Sequence, residues 1–138
     1  MESVTLGHGE RTVTLTRGVP PAPGDPYNGG HFGADLHAPG LSASRQVFVF
    51  GWSDIAGFFS DLAQHWRGWD GPKTWTSPEH DLTVTATHES GSHVRVAIVL
   101  QDGPAHTWSA STSVDVEPGE EMTLLARDLS RLTSTTSS

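Results

Sequence analysis

The sequence contains no cysteine. Disulfides, thiol nucleophiles and thiolate metal sites are excluded together. Positive charge is scarce: eight lysines and arginines stand against sixteen aspartates and glutamates, a formal net charge of −8. A chain this acidic repels phosphate backbones, so no nucleic-acid partner is expected. The same field attracts and steers a basic protein. Protonating the eight histidines would cancel the charge, so acidification favours self-association. No apolar run approaches the ~20 residues of a membrane helix, so no membrane partner is expected. The opening MESVTLGHGERTV lacks the apolar segment of a secretory signal, and the expected compartment is the cytoplasm. There is no P-loop, G-x-G-x-x-G, H-E-x-x-H, EF-hand loop or G-x-S-x-G elbow. No cofactor and no catalytic residue is expected.

What is present reads as one α+β domain over 1–133, followed by a flexible polar tail, 134–138. Residues 3–17 alternate as two short strands around Gly7-His8-Gly9. Residues 18–30, with four prolines and four glycines, form a long surface loop. In 31–38, Phe32, Ala34, Leu36 and Ala38 share one face, and His31, Gly33, Asp35 and His37 the other. The next strand ends in Val47-Phe48-Val49-Phe50, apolar on both sides, which predicts a place inside the sheet or under a helix.

Ser53 is an N-cap candidate, with Asp54 in the first turn. Ile55, Phe58, Phe59, Leu62, Ala63 and Trp66 recur at helical spacing, predicting an amphipathic helix over about 53–66 that ends near Gly68. Three alternating stretches beginning near Leu82, His93 and Thr107 predict a three-stranded meander. Pro118, Glu120 and Glu121 open a second amphipathic helix, about 118–132, burying Met122, Leu125, Ala126, Leu129 and Leu132. The expected architecture is a single antiparallel β-sheet, N-terminal hairpins plus the meander, with both helices packed on it.

The segment HWRGWDGPKTW, residues 65–75, concentrates three of the five tryptophans. Large aromatics most often serve burial, so the first expectation is a hydrophobic corner between helix and sheet, with Trp66 in the core stripe and Trp75 at a strand edge. The functional alternative keeps Arg67, Trp69, Asp70 and Trp75 as a partner-binding surface, since tryptophan and arginine dominate interface energies. Metal binding is not expected. His31, Asp35 and His37 share a strand face, but only the last two are ~6.6 Å apart, short of three converging ligands. His88 and His93 flank a turn as cross-strand neighbours, which makes them weak candidates of the same kind.

The order of elements carries a resemblance. Ser77, Glu79, Asp81, Leu82, Val84 and Ala86 form S-x-E-x-D-L-x-V-x-A, and Gly91, His93, Val94 and Val96 form G-x-H-V-x-V. A tryptophan-bearing strand and a helix opened by Glu117-Pro118-Gly119-Glu120 follow. Over about 31–133 this resembles a group of small uncharacterised actinobacterial proteins and, more distantly, immunity proteins of the WapI type. The first thirty residues fall outside that resemblance. It implies an α+β fold and neutralisation of a toxin by direct binding. The expected function is therefore a non-enzymatic binding protein for a basic toxin domain. The alternatives are a small hydrolase or metal-dependent enzyme using surface histidines and aspartates, and an assembly subunit whose free sheet edge pairs with a second copy as a homodimer.

Overall fold

A computed structural model describes residues 3–18, 30–51, 54–89, 93–102, 105 and 107–133. Most of the proline-rich loop, the Ser53 cap, the turn at 90–92, Gly103-Pro104 and the tail lie outside the described residues.

Among the described residues alternating apolar side chains produce eight strands, and they form two sheets rather than the single one expected. β1 (Ser3–His8), β2 (Arg11–Arg17), β3 (Gly30–Ala38) and β4 (Leu41–Val49) make one antiparallel sheet in chain order. After α1 (Asp54–Gln64), β5 (Lys73–Thr76), β6 (Leu82–Glu89), β7 (His93–Gln101) and β8 (Ser109–Val116) make the second, also in chain order. α2 (Glu120–Leu132) closes the fold. The expected meander is thus β6–β8 with a short edge strand, β5, added by Trp75 pairing with Val84. The physical reason for two sheets is that each set of strands buries only one face, and the two inner faces satisfy each other. β8 lies beside β1, β2 and β3, and β7 beside β4. Val4, Leu6, Val13, Leu15, Phe32 and Leu36 from one sheet join Leu82, Val84, Val96, Ile98 and Leu100 from the other in one buried cluster.

At Gly7 the two sheets approach closely. Its φ is +88°, and a Cβ there would meet the Arg11 carbonyl oxygen at 2.4 Å and Val114 of β8 at 2.6 Å. It lies within β1, because the hairpin turn is at Gly9-Glu10 and His8 pairs with Arg11.

One charged contact ties the sheets together. Asp81, completely buried, accepts a hydrogen bond from Arg45 Nε on β4 at 3.2 Å. Its other oxygen accepts from the buried Ser77 hydroxyl, which in turn accepts the Leu82 N–H at 2.9 Å. The turn between them places His80 at φ +61°, a left-handed conformation uncommon outside glycine and asparagine. The Ser77, Asp81 and Leu82 positions of the sequence pattern are therefore a turn lock, joined to the opposite sheet through Arg45.

The helices pack on each other. α1 buries Ile55, Ala56, Phe59 and Leu62, and α2 buries all five residues expected of it. α2 begins two residues later than expected. Its first N–H groups are satisfied by Glu117, whose carboxylate accepts from Gly119 and Glu120, while Glu121 accepts from the Glu117 N–H at 2.8 Å. Arg17 Nη1 donates to the Leu132 carbonyl at 3.0 Å and anchors the other end to β2. No helix among the described residues is long and apolar enough to cross a membrane.

Candidate functional site

The tryptophan corner is architecture with one exposed ring, and Trp66 and Trp69 hold the reverse of their expected places. Trp66 is not core. α1 stops at Gln64, residues 65–67 form a turn, and the helical phase that would bury Trp66 is lost, leaving it 51% exposed. Trp69 is the anchored ring: its Nε1 donates to the Ala86 carbonyl at 3.2 Å and its edge meets His88 at 5.3 Å between centroids. Gly68, at φ +133°, lets the chain double back so that Trp69 reaches β6. Trp75 is half-buried against the core from β5.

The turn is held at one carbonyl by β6, and the helix end before it is tied back on itself and to β5. His88 Nε2 donates to the Trp66 carbonyl at 3.1 Å. His65 Nδ1 lies 2.8 Å from the Asp61 carbonyl. Lys73 Nζ donates to Asp61 Oδ2 at 2.8 Å, joining α1 to β5, and also lies 5.4 Å from the Trp69 ring centre. That hydrogen bond from Lys73 is the main reason the Asp61 carboxyl titrates below the ordinary aspartate value; partial burial opposes it, and the charges of Lys73 and His65 add to it. On this held turn Arg67 lies over the Trp66 ring, 5.2 Å from its centre. Asp70 is exposed and has no hydrogen bond or ion pair among the described residues, so it is not the turn-stabilising aspartate of such a segment.

The metal candidates do not converge. His31 is half-buried with its ring edge-on to Phe48 at 5.5 Å. Asp35 is opposite Ser44 and Thr14, and exposed His37 is opposite Ser42 and Thr12. His88 and His93 are not cross-strand neighbours: His88 pairs with Val94 and His93 with Glu89, which places the two histidines on opposite faces. His93 instead approaches Asp115, at 3.9 Å, beside Arg95 at 3.7 Å. Among the described residues no group of three histidines, aspartates or glutamates is placed to hold a metal ion.

Two further surfaces were not legible in the sequence. β4 is an edge strand, contrary to the expectation for Val47-Phe48-Val49-Phe50; only Val47 and Val49 are buried. Phe48 and Phe50 face outward in edge contact at 4.9 Å, with Phe50 58% exposed. The second surface is a groove of about 250 Å³ between edge strand β1 and α2. It is lined by Ser3–His8 on one side and by Glu121, Leu124, Leu125 and Asp128 on the other. Among the acids of the meander, Asp102 accepts from the Thr107 hydroxyl and the Trp108 N–H, which lower its pKa in that order and make it part of a turn.

These features define a two-sheet α+β protein with clamped aromatic and strand-edge surfaces. The chain belongs to a family of unknown function, DUF6228, whose sequence model matches residues 7–136. The family relationship therefore reaches back to residue 7, into the segment that the expected resemblance left out. No curated protein matches the chain.

Proposed function

We propose that this protein is a non-enzymatic cytoplasmic binding protein that neutralises a basic protein partner, a toxin domain, by direct contact. The observation that carries this reading is the exposed Trp66 ring with Arg67 laid across it, on a turn held by His88, His65 and the Asp61–Lys73 pair. A tryptophan on a turn whose backbone is already held loses little backbone freedom on binding, and buried tryptophan and arginine commonly supply the largest share of interface energy. Asp70, exposed beside it, and the net charge of −8 fit a basic partner. The resemblance of the strand and helix order to WapI-type immunity proteins supports the same class.

The test is affinity and association rate for the basic partner in wild type, Trp66→Ala and Asp70→Lys. Trp66→Ala should weaken binding by about 30-fold or more, the worth of a tryptophan hot spot of ~2 kcal/mol. Asp70→Lys should slow association and flatten its salt dependence. Both sites are exposed, so neither should move the melting temperature appreciably. Unchanged affinity in both variants contradicts the proposal.

A further inference from the structure

We propose that the groove between β1 and α2 takes up an extended basic segment of the partner as an added strand on β1. This rests on the reading above, that the partner is a basic protein, and specifies a second element of it.

β1 is an outer strand, hydrogen-bonded only to β2. In an antiparallel pair, alternate residues of an edge strand turn their N–H and C=O groups away from the partner strand. The backbone of Ser3–His8 makes no hydrogen bond outside the β1–β2 ladder among the described residues. An edge of this kind is a template for another strand. Native proteins commonly cover such edges, and here α2 stands alongside but leaves a groove. The four residues of β1 before Gly7, Ser3–Leu6, give a wall of ~13 Å, enough for a short added strand.

The lining states what the added strand must carry. The apolar part is Val4, Leu6, Val116 and Leu125, with Leu124 39% exposed above it. The charged part is Glu121 and Asp128, one helical face seven residues apart. Glu121 already pairs with His8 at 3.0 Å, which closes that end. Asp128 has no ion pair among the described residues and stands free for an incoming cation. A strand alternates its side chains, so a segment alternating basic and apolar residues satisfies both parts at once. α2 is joined to β1 at one end by the exposed His8–Glu121 contact and to β2 at the other by Arg17 on the Leu132 carbonyl.

The experiment titrates the isotope-labelled full chain with seven-residue peptides and follows its amide resonances. The probes are a peptide alternating lysine and valine, one alternating glutamate and valine, and two forms of the first methylated at alternate backbone nitrogens, one for each edge. The lysine peptide should shift the resonances of Ser3–His8 and of Leu124–Asp128 and slow amide exchange in β1. The glutamate peptide and one methylated form should bind about tenfold more weakly or worse, having lost charge complementarity or the ladder hydrogen bonds. Asp128→Lys, a surface change, should weaken the lysine peptide about tenfold at unchanged melting temperature. The proposal is overturned if the lysine peptide leaves β1 unmoved at millimolar concentration, if both methylated forms bind as well as their parent, or if the glutamate peptide binds equally. A basic protein that cross-links at the tryptophan corner while β1 stays silent removes the groove alone. A β1 response with no corner cross-link leaves the groove and removes the corner.

Discussion

Replacing Asp81 with alanine should be among the most damaging single polar substitutions in this protein. The carboxylate is completely buried and receives Arg45 from the opposite sheet and Ser77 from its own turn. Removing one partner of a buried ion pair costs about 3–5 kcal/mol, because the other charge loses its buried counter-charge. Arg45 retains 26% side-chain exposure and can reach water, which places the expected loss near the lower end, about 3 kcal/mol. Unfolding entropy of about 2.1 cal/mol/K per residue over 138 residues gives ~0.29 kcal/mol/K, so the melting temperature should fall by ~10 °C. Replacing both partners with apolar residues, Arg45→Met with Asp81→Leu, should cost much less, since neither charge is then buried alone. Urea unfolding of the two single variants and the double variant gives the coupling energy directly. A loss below ~1 kcal/mol for Asp81→Ala, or additive single effects, would refute the account of the contact as an inter-sheet lock.

Phe59→Ala should cost about 3–5 kcal/mol and the half-buried neighbour Phe58→Ala clearly less, read from urea midpoints; equal losses would contradict the assigned helix phase. Gly7→Ala should destabilise by more than ~1 kcal/mol, because the new methyl meets backbone and Val114 at a positive φ. Shortening the neighbour in Gly7→Ala/Val114→Ala should relieve only the Val114 share, which thermal melts of the three proteins would measure. Asp61 has a lowered pKa in the folded state, owing first to Lys73, so its stabilisation is present above the unfolded value and is lost as pH falls through the folded one. Asp61→Asn should therefore narrow the stability difference from wild type as pH falls from about 5 to about 2; parallel curves would contradict the pairing.

Element types were legible because the alternation in 31–38, 82–88 and 93–100 and the helical stripes of both helices are strong local patterns. The second sheet was not, because alternation states that one face is buried but not against what. Val47-Phe48-Val49-Phe50 misled for a related reason: a run apolar on both faces also describes an edge strand that shows aromatic rings to solvent. Trp66 and Trp69 exchanged roles because a helix that ends two residues early rotates everything after it, and termini are the least legible part of a periodic segment. The groove had no local signal, since its walls are more than a hundred residues apart in the chain. The Arg45–Asp81 contact joins β4 to the turn before β6 in the other sheet, and no spacing rule connects them.

The central claim is that the corner at Trp66 meets a basic protein. A photo-cross-linking residue in place of Gln64, exposed at the end of α1 beside the corner, tests it in the native cell. The same residue at exposed Arg11, on β2, is the control, and the Gln64 position is repeated in a Trp66→Ala background. The account predicts one protein of net positive charge captured from position 64, not from position 11, with capture falling as salt rises and largely lost in Trp66→Ala. The same proteins captured from both positions, an acidic protein from position 64, or capture indifferent to Trp66 would contradict it.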